Sequence, residues 1–295
     1  RIQLVNRRDL LLGLMVLAVF IGMIFIVLLS LTALTVDGSR VTSKSVGIIE
    51  IIGPIVSPMP VVESLERYIS DDNILAIVIR LNTPGGGVSA TQEIYETVKK
   101  ARRAGKKIVA SMGAVAASGG YYVAAACDTV VATPGTITGS IGVIASFSEF
   151  SNLFEKIGIT FNVRKTGKFK DTGSIARKMT DEEKALIDEL IMDTHEQFVQ
   201  AVFMGRNLDP DFVRENADGR VFTGRQALNI GFVDILGTYQ EAIDLAGTMV
   251  GLGKNPPVHK VQKDIFRRVL IDGISNLISR SVGDEIPSIS YKWVY

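Results

Sequence analysis

Residues 74–87 read Ile-Leu-Ala-Ile-Val-Ile-Arg-Leu-Asn-Thr-Pro-Gly-Gly-Gly. The first part, 74–81, is apolar and β-branched, which is typical of a strand buried on both faces of a sheet. The second part breaks regular structure, because proline and glycine are the strongest local breakers. An amphipathic helix is predicted at 89–104 and another strand at 107–111. Strand, glycine loop, helix and strand form a βαβ unit, so this stretch predicts an α/β fold with a largely parallel sheet.

The same alternation continues on both sides of this unit and predicts one domain over 46–252. Residues 180–183 read Thr-Asp-Glu-Glu, a capping-box pattern that opens a long helix. The predicted strands are 46–52 and 129–132, with a short strand or turn at 230–235. The predicted helices are 58–70, 118–126, 180–204, 209–215, 223–229 and 239–250.

The segment ahead of this domain is a candidate membrane anchor. Residues 10–36 carry no charge over 27 positions. About 20 apolar residues span a bilayer, whereas the apolar core of a cleavable signal peptide has about 7–15. We interpret 10–36 as a transmembrane helix between a cytoplasmic stub at 1–9 and a linker at 37–45. The arginines before it favour an inside N-terminus, which predicts a single-pass protein of the cell membrane with an extracytoplasmic catalytic domain.

The remaining segment, 253–295, is predicted to be an amphipathic tail. Apolar residues fall on one helical stripe within 265–282. Such a stripe packs on the domain core or on a neighbouring subunit more often than on a membrane surface. The last residues, 288–295, are expected to be a flexible end.

Composition excludes several classes of function. A net charge of +1 argues against nucleic acid as a partner. Cys127 is the single cysteine, so an intrachain disulfide and a thiol-rich metal site are excluded. The two histidines, His195 and His259, lack neighbours at metal-ligand spacing. We therefore predict no metal and no cofactor.

Ser118 is the candidate nucleophile. It stands in Ala-Ala-Ser-Gly-Gly-Tyr-Tyr at 116–122, directly before a predicted helix. Free N–H groups at a helix N-terminus favour the negative charge that develops when a carbonyl is attacked. The alternative is an ordinary N-cap serine.

The glycine loop at 84–87 is the candidate oxyanion hole, together with the N–H of Gly119. Glycines let the backbone approach a ligand closely, and Gly86 is the residue that we expect to donate. A phosphate cradle is disfavoured because neither of the usual glycine motifs is present. A purely structural turn remains the other alternative.

A serine enzyme without a suitable histidine needs another base. Lys170 is the candidate, since a lysine acts as a base once its surroundings leave it neutral. The residues alone do not separate it from Lys165 and Lys168, and an exposed surface charge is the alternative for each. Ser140 is a candidate orienting group for the base; it could also be a turn residue or the nucleophile.

These motifs, in this order, resemble the signal peptide peptidase A family of membrane-anchored serine proteases in its short, single-domain form. The resemblance covers about residues 46–250. The matching stretches are 82–86, 117–122, 138–142, 167–171, 219–224 and 227–234.

The resemblance implies a ClpP/crotonase-like fold and a Ser–Lys dyad. It places the nucleophile at Ser118, the base at Lys170 and the residue that assists the lysine at Ser140. It also implies a homo-oligomeric ring with active sites between subunits, and apolar remnants of signal peptides as substrates. The loop after the lysine reads Gly-Ser-Ile at 173–175, where the family often has Ser-Pro.

The sequence therefore predicts a membrane-anchored serine endopeptidase. A protease of the same fold that acts in membrane-protein quality control is one alternative. A catalytically silent scaffold tethered to the membrane is the other.

Overall fold

The computed structural model describes residues 15–25 and 43–261 and the backbone of residues 289–292. Residues 15–25 form helix α1, with exposed apolar side chains. Within the described ranges, no helix combines the length and the apolar character needed to cross a membrane. Most of the span predicted at 10–36 lies outside the described residues. So do the stub at 1–9, most of the linker at 37–45 and the amphipathic stripe at 265–282.

From Ser43 onward the chain forms a separate unit of alternating strands and helices. The strands are β1 (Ser45–Ile52), β2 (Ile74–Thr83), β3 (Gly85–Gly87), β4 (Lys107–Ala117), β5 (Thr129–Ala132), β6 (Ile137–Gly139), β7 (Ile144–Ala145), β8 (Val221–Thr223), β9 (Ile235–Leu236), β10 (Val258–Lys260) and β11 (Ile289–Lys292). The helices are α2 (Met59–Ser70), α3 (Val88–Arg103), α4 (Gly119–Ala125), α5 (Ser151–Lys156), α6 (Asp181–Arg206), α7 (Pro210–Glu215), α8 (Gly224–Asn229) and α9 (Tyr239–Met249).

The main sheet is parallel along its principal path, β10-β1-β2-β4-β5-β9. The last residues of β4 leave β5 and pair with β6, which pairs antiparallel with β8 on its other side. Helices α2 and α3 make the two crossovers between β1, β2 and β4. The predicted α/β class is confirmed.

Both faces of the sheet are covered, which explains the unbroken apolar run of β2. On one face Ala76 and Val78 pack in a buried cluster with Ala242 and Ala246 of α9. On the other face α2 lies so close that a Cβ on Gly47 would be 2.6 Å from the ring of Tyr68. Because neither face of such a strand meets water, its sequence lacks the alternation of apolar and polar residues.

Besides the unpredicted elements β6, β7, β8 and α5, three further differences from the predicted elements stand out. Strand β4 runs to Ala117 instead of ending at 111, because its small residues pair with β6. The glycine loop contains a short strand, β3, held by hydrogen bonds of 2.8 Å in both directions with the backbone of Ile55. The expected flexible end contains β11, and β10 extends the main sheet past residue 252.

Candidate active site

Ser118 lies at the junction between β4 and α4, with φ 54° and ψ −118°. This region is rare for a residue with a side chain and costs about 1–3 kcal/mol. Two backbone hydrogen bonds hold the turn: Ser118 N–H donates to the Gly139 carbonyl at 2.7 Å, and Tyr122 N–H donates to the Ser118 carbonyl at 2.9 Å. The side chain makes no capping hydrogen bond. Ser118 thus stands at the N-cap position of α4 without the extended backbone and the capping side chain of an ordinary N-cap serine.

The two glycines expected to form the oxyanion hole lie against each other. A Cβ on Gly119 would be 3.2 Å from Gly85 Cα and 3.3 Å from the Gly86 nitrogen. A Cβ on Gly86 would be 2.1 Å from the carbonyl oxygen of Ile55. Both positions therefore require glycine. Gly86 and Gly119 lie together because β2 and β4 are parallel, so the carboxyl ends of these two strands lie at the same edge of the sheet.

Ser140 follows β6 at this same edge. In the register of β4 and β6, Ala117 pairs with Gly139, so Ser140 comes next to the Ser118 turn. Ser140 is buried and has φ 51°, and its N–H donates to the Arg220 carbonyl at 2.8 Å. Gly139 before it has φ 78° and is packed on the ring of Phe222. Two serines with left-handed backbone thus lie on adjacent strand ends.

Lys170 does not follow a strand of the sheet and lies in the exposed turns between α5 and α6. Its backbone N–H donates to the Gly167 carbonyl at 3.3 Å. Among the described residues, its ammonium has no ion pair or hydrogen bond with Ser118, Ser140 or any carboxylate. The other two lysines do have partners: Lys165 pairs with Asp171 at 2.5 Å, and Lys168 pairs with Glu182. Of the three, only Lys170 has an uncommitted ammonium within the described part of the chain.

Lys106 is an unsuitable base despite its environment. Burial lowers its pKa, and its ammonium donates to the carbonyls of Asp71 and Ile74 at 2.7 and 2.6 Å. It precedes β4, whereas Ser118 follows β4. At about 3.3 Å per residue, the strand separates them by roughly 40 Å. Lys106 therefore belongs to the opposite edge of the sheet.

Sequence reasoning missed an ionic cluster around the base candidate. Asp171, the residue after Lys170, accepts from Arg177 Nε at 3.0 Å and from Arg177 Nη2 at 2.8 Å. The same guanidinium donates to Glu183 at 2.8 and 2.5 Å. Hydrogen bonds from Arg177 and Lys165 hold the pKa of Asp171 well below its usual range. Arg177 and the Thr180 N–H lower the pKa of Glu183 to about 2.

Only Glu183 of this cluster carried a local signal, as the last residue of the predicted capping box. The box is present: Glu183 N–H donates to Thr180 Oγ1 at 3.2 Å, and Thr180 N–H donates to Glu183 Oε2 at 2.8 Å. Glu183 is 2% exposed. Because the capping box already gives the Glu183 carboxylate a partner, no sequence pattern pointed to its second partner, Arg177.

The remaining reactive side chains are engaged or buried. Burial raises the pKa of the Cys127 thiol to about 12, so it is not a ready nucleophile. His195 Nε2 lies 2.7 Å from the Ala217 carbonyl, a packing role. No group of histidine, cysteine and acidic residues suited to a metal occurs in the described ranges.

A strand of the chain lies alongside the glycine strand. The backbone of β11 pairs antiparallel with β3, with Tyr291 opposite Gly86, and antiparallel with β7, with Ser290 opposite Ile144. An extended segment therefore fits between β3 and β7, next to the Ser118 turn. A groove with backbone groups on both sides is the usual arrangement for binding a peptide by strand addition.

Comparison with known proteins places this chain in a family. The model of peptidase family S49 matches residues 100–253, and the Clp protease model matches residues 47–138. The Synechocystis sp. protein named "Putative protease slr0021" is 43% identical over 213 residues, 72% of this chain and 76% of that protein. The Clp protease match supports the expected type of α/β fold.

Two further relatives are longer than the matched region. "Putative signal peptide peptidase SppA" of Enterococcus faecium is 39% identical over 61% of this chain and 52% of that protein. "Serine protease SPPA, chloroplastic" of Arabidopsis thaliana is 31% identical over 75% of this chain and 33% of that protein. The match thus spans about three quarters of the Synechocystis protein, half of the Enterococcus protein and a third of the Arabidopsis protein. The expected resemblance is confirmed: the chain belongs to peptidase family S49 and is a serine protease.

Proposed function

We propose that this protein is a membrane-anchored endopeptidase in which Ser118 is the nucleophile and Lys170 the general base. The observation that carries the proposal is the left-handed turn of Ser118, packed against the glycine strand β3. A serine needs no such backbone to cap a helix. It benefits from it as a nucleophile, because the turn brings the N–H of Gly119 towards that of Gly86.

The reaction follows from these groups. Neutral Lys170 removes the proton from Ser118 Oγ, and the oxygen attacks the peptide carbonyl. The N–H groups of Gly86 and Gly119 stabilise the oxyanion. The lysine ammonium gives its proton to the leaving amine as the C–N bond breaks, leaving an acyl-enzyme. A water molecule, deprotonated by the same lysine, then attacks the ester. The ammonium returns this proton to Ser118 Oγ as the acyl C–O bond breaks, and Ser140 orients the amine.

We propose that the substrate binds as an extended strand between β3 and β7, in the place that β11 takes. All three residues of β3 are glycine, so that side of the groove has no side chains and selects for backbone. Apolar remnants of signal peptides fit such a groove, and the Enterococcus relative carries the name signal peptide peptidase. An anchor at 10–36, with the N-terminus in the cytoplasm, would hold the enzyme where such remnants accumulate.

A second copy of the chain is proposed to complete the site. Apolar side chains on α5 and in the turns between α5 and Lys170 are strongly exposed. Exposed apolar patches mark surfaces that contact another protein. They include Leu153 at 52%, Ile157 at 58% and Val163 at 55% exposure. We propose that these pack against a neighbour in a homo-oligomeric ring and that Lys170 serves a serine across that contact.

The test is cleavage of a fluorogenic apolar peptide by the full chain in detergent. Ser118→Ala should lower kcat by at least about 10⁴-fold, and Lys170→Ala should be similarly inactive. Lys184→Ala is the matched control, since Lys184 is an exposed lysine on α6 that pairs with Asp181. Near wild-type cleavage by Ser118→Ala or Lys170→Ala, with folding retained, would refute that residue's role.

A further inference from the structure

We infer that Arg177 is a positioning residue for the general base, which it holds through Asp171. The inference rests on the proposed function, because it takes Lys170 as the base. Arg177 touches neither Ser118 nor the glycine strand in the described residues, so its effect would pass entirely through Lys170.

The first support is the geometry of the contact. Arg177 binds both oxygens of Asp171, the residue that follows Lys170, and also donates to the Asp171 carbonyl at 3.3 Å. A two-point contact of a guanidinium with a carboxylate fixes orientation as well as distance. The side chain and the carbonyl of Asp171, the residue directly after Lys170, are therefore both held by a single side chain.

The second support is what lies on the other side of Arg177. Glu183 also binds the guanidinium at two points, and it is buried in the first turn of α6. Thr172 Oγ1 donates to the same carboxylate at 3.1 Å, which adds a second link from the turn to the helix. Further along α6, Phe198 and Val199 are fully buried in the core. The ring of Phe198 lies 4.8 Å from that of Tyr122 on α4. Arg177 thus connects the exposed lysine turn to the helix pair that follows Ser118.

The third support is charge. The charged groups around Lys170 are Lys165, Lys168, Asp171, Arg177, Glu182 and Glu183. A carboxylate beside a lysine favours the ammonium and so opposes its use as a base. Here Lys165 and Arg177 engage the Asp171 carboxylate, and Lys168 pairs with Glu182. Arg177 keeps Asp171 from becoming the counter-ion of Lys170.

Removing Arg177 should therefore have two effects. Loss of orientation should lower kcat/KM by about 10- to 100-fold. The Asp171 carboxylate, released from Arg177, should also favour the ammonium form of Lys170, so that the acidic limb of the kcat/KM profile moves to higher pH. Asp171→Asn should lower the rate as well but move the limb to lower pH. Replacing the two partners of this contact should thus move the acidic limb in opposite directions. A general loss of structure in the turn would not produce opposite movements.

The experiment compares pH profiles of wild type, Arg177→Ala, Arg177→Lys and Asp171→Asn. Arg214→Ala is the matched control, because Arg214 pairs with Glu196 and Asp211 on the exposed side of α6 and α7. Arg177→Lys keeps the charge without the two-point contact, so it should lower kcat and leave the limb in place. Circular dichroism melting monitors folding. If Arg177→Ala does not fold, Arg177→Lys and Asp171→Asn decide the question.

The outcomes separate the two claims. Cleavage by Lys170→Ala at the wild-type rate would remove the base from the proposed function. Loss of activity in Lys170→Ala, with Arg177→Ala matching Arg214→Ala in rate and pH profile, would overturn only the role of Arg177. A slower Arg177→Ala enzyme with an unshifted acidic limb would also overturn it, and so would an unshifted Asp171→Asn profile.

Discussion

At the scale of single residues, Ser118 and Ser140 are the informative positions. Both have positive φ and a buried side chain, and both follow parallel strands that end side by side. Each such backbone costs about 1–3 kcal/mol and is kept only when the surroundings enforce it. For Ser118 the surroundings are the Gly139 carbonyl and the first turn of α4. Strain of this kind concentrates where a side chain must be presented for chemistry.

Gly86→Ala should strongly impair cleavage. Its Cβ would lie 2.1 Å from the Ile55 carbonyl oxygen, so β3 must move away from Ile55 and change its position relative to Gly119. Losing one oxyanion donor costs about 10²- to 10³-fold in kcat. Gly135→Ala is the control, since a Cβ there meets nothing within 4 Å. Steady-state kinetics of the two variants, with melting curves, checks this. Equal activity of the two would exclude the Gly86 N–H from the oxyanion hole.

Ser118, Gly86 and Gly119 were grouped from the sequence by their chemistry, and the structure has them at the ends of β2 and β4, which share one edge of the sheet. Ser140 joins them through β6, a strand that was not predicted. Lys170 could be chosen over Lys165 and Lys168 only by resemblance. The structure adds that the other two are paired, a consequence of contacts across turns that have no periodic pattern.

At the scale of elements, the pairing of the two short strands β3 and β11 is the basis for the proposed substrate groove. Neither was predicted as a strand. Three glycines have low strand propensity, and four residues near a chain end give too little alternation to recognise. Pairing with partners distant in sequence creates both strands. By contrast, the long helix α6 was predicted closely, because its capping box lies within four consecutive residues.

If β11 occupies the groove in which the substrate binds, residues 289–292 compete with the substrate for pairing with β3 and β7. Tyr291→Pro removes a backbone N–H and should weaken the pairing with β3. The KM for a peptide substrate should then fall several-fold while kcat stays the same. Deletion of residues 289–295 should act in the same direction, and Tyr291→Phe, which keeps the N–H, should not. An unchanged or higher KM in both altered chains would show that substrate binds elsewhere.

The link between the lysine turn and α6 should weaken in acid. The pKa of Glu183 is about 2 when folded and about 4.3 in an unfolded chain. Because the folded value is the lower one, its stabilisation is complete above about pH 5 and is lost as pH falls towards 2. The Tm difference between wild type and Glu183→Gln should shrink over that range. Glu189→Gln, an exposed position on the same helix, is the control. A pH-independent difference would contradict the ionic link.

At the scale of the whole molecule, the main feature is that no hydrogen bond links Lys170 to Ser118 among the described residues. The segment that carries Lys170 also exposes apolar side chains. An assembly in which each subunit lends its lysine to a neighbour accounts for both facts.

Mixing inactive subunits tests this assembly. When Ser118→Ala and Lys170→Ala chains are refolded together in equal amounts, about one quarter of the intersubunit sites should hold both Ser118 and Lys170. The mixture should recover about that share of wild-type cleavage. Native mass measurement should show one oligomer for all samples. An inactive mixture that assembles normally would place both residues in the same subunit.

The most direct test of the central claim is covalent labelling of the native enzyme with a fluorophosphonate probe, followed by peptide mapping. Label on Ser118, lost when Lys170 is replaced by alanine, is the predicted result. Treatment with a thiol reagent should leave cleavage unchanged, since Cys127 is buried. Label on Ser140, or no label on an enzyme that cleaves peptides, would contradict the assignment of Ser118 as the nucleophile.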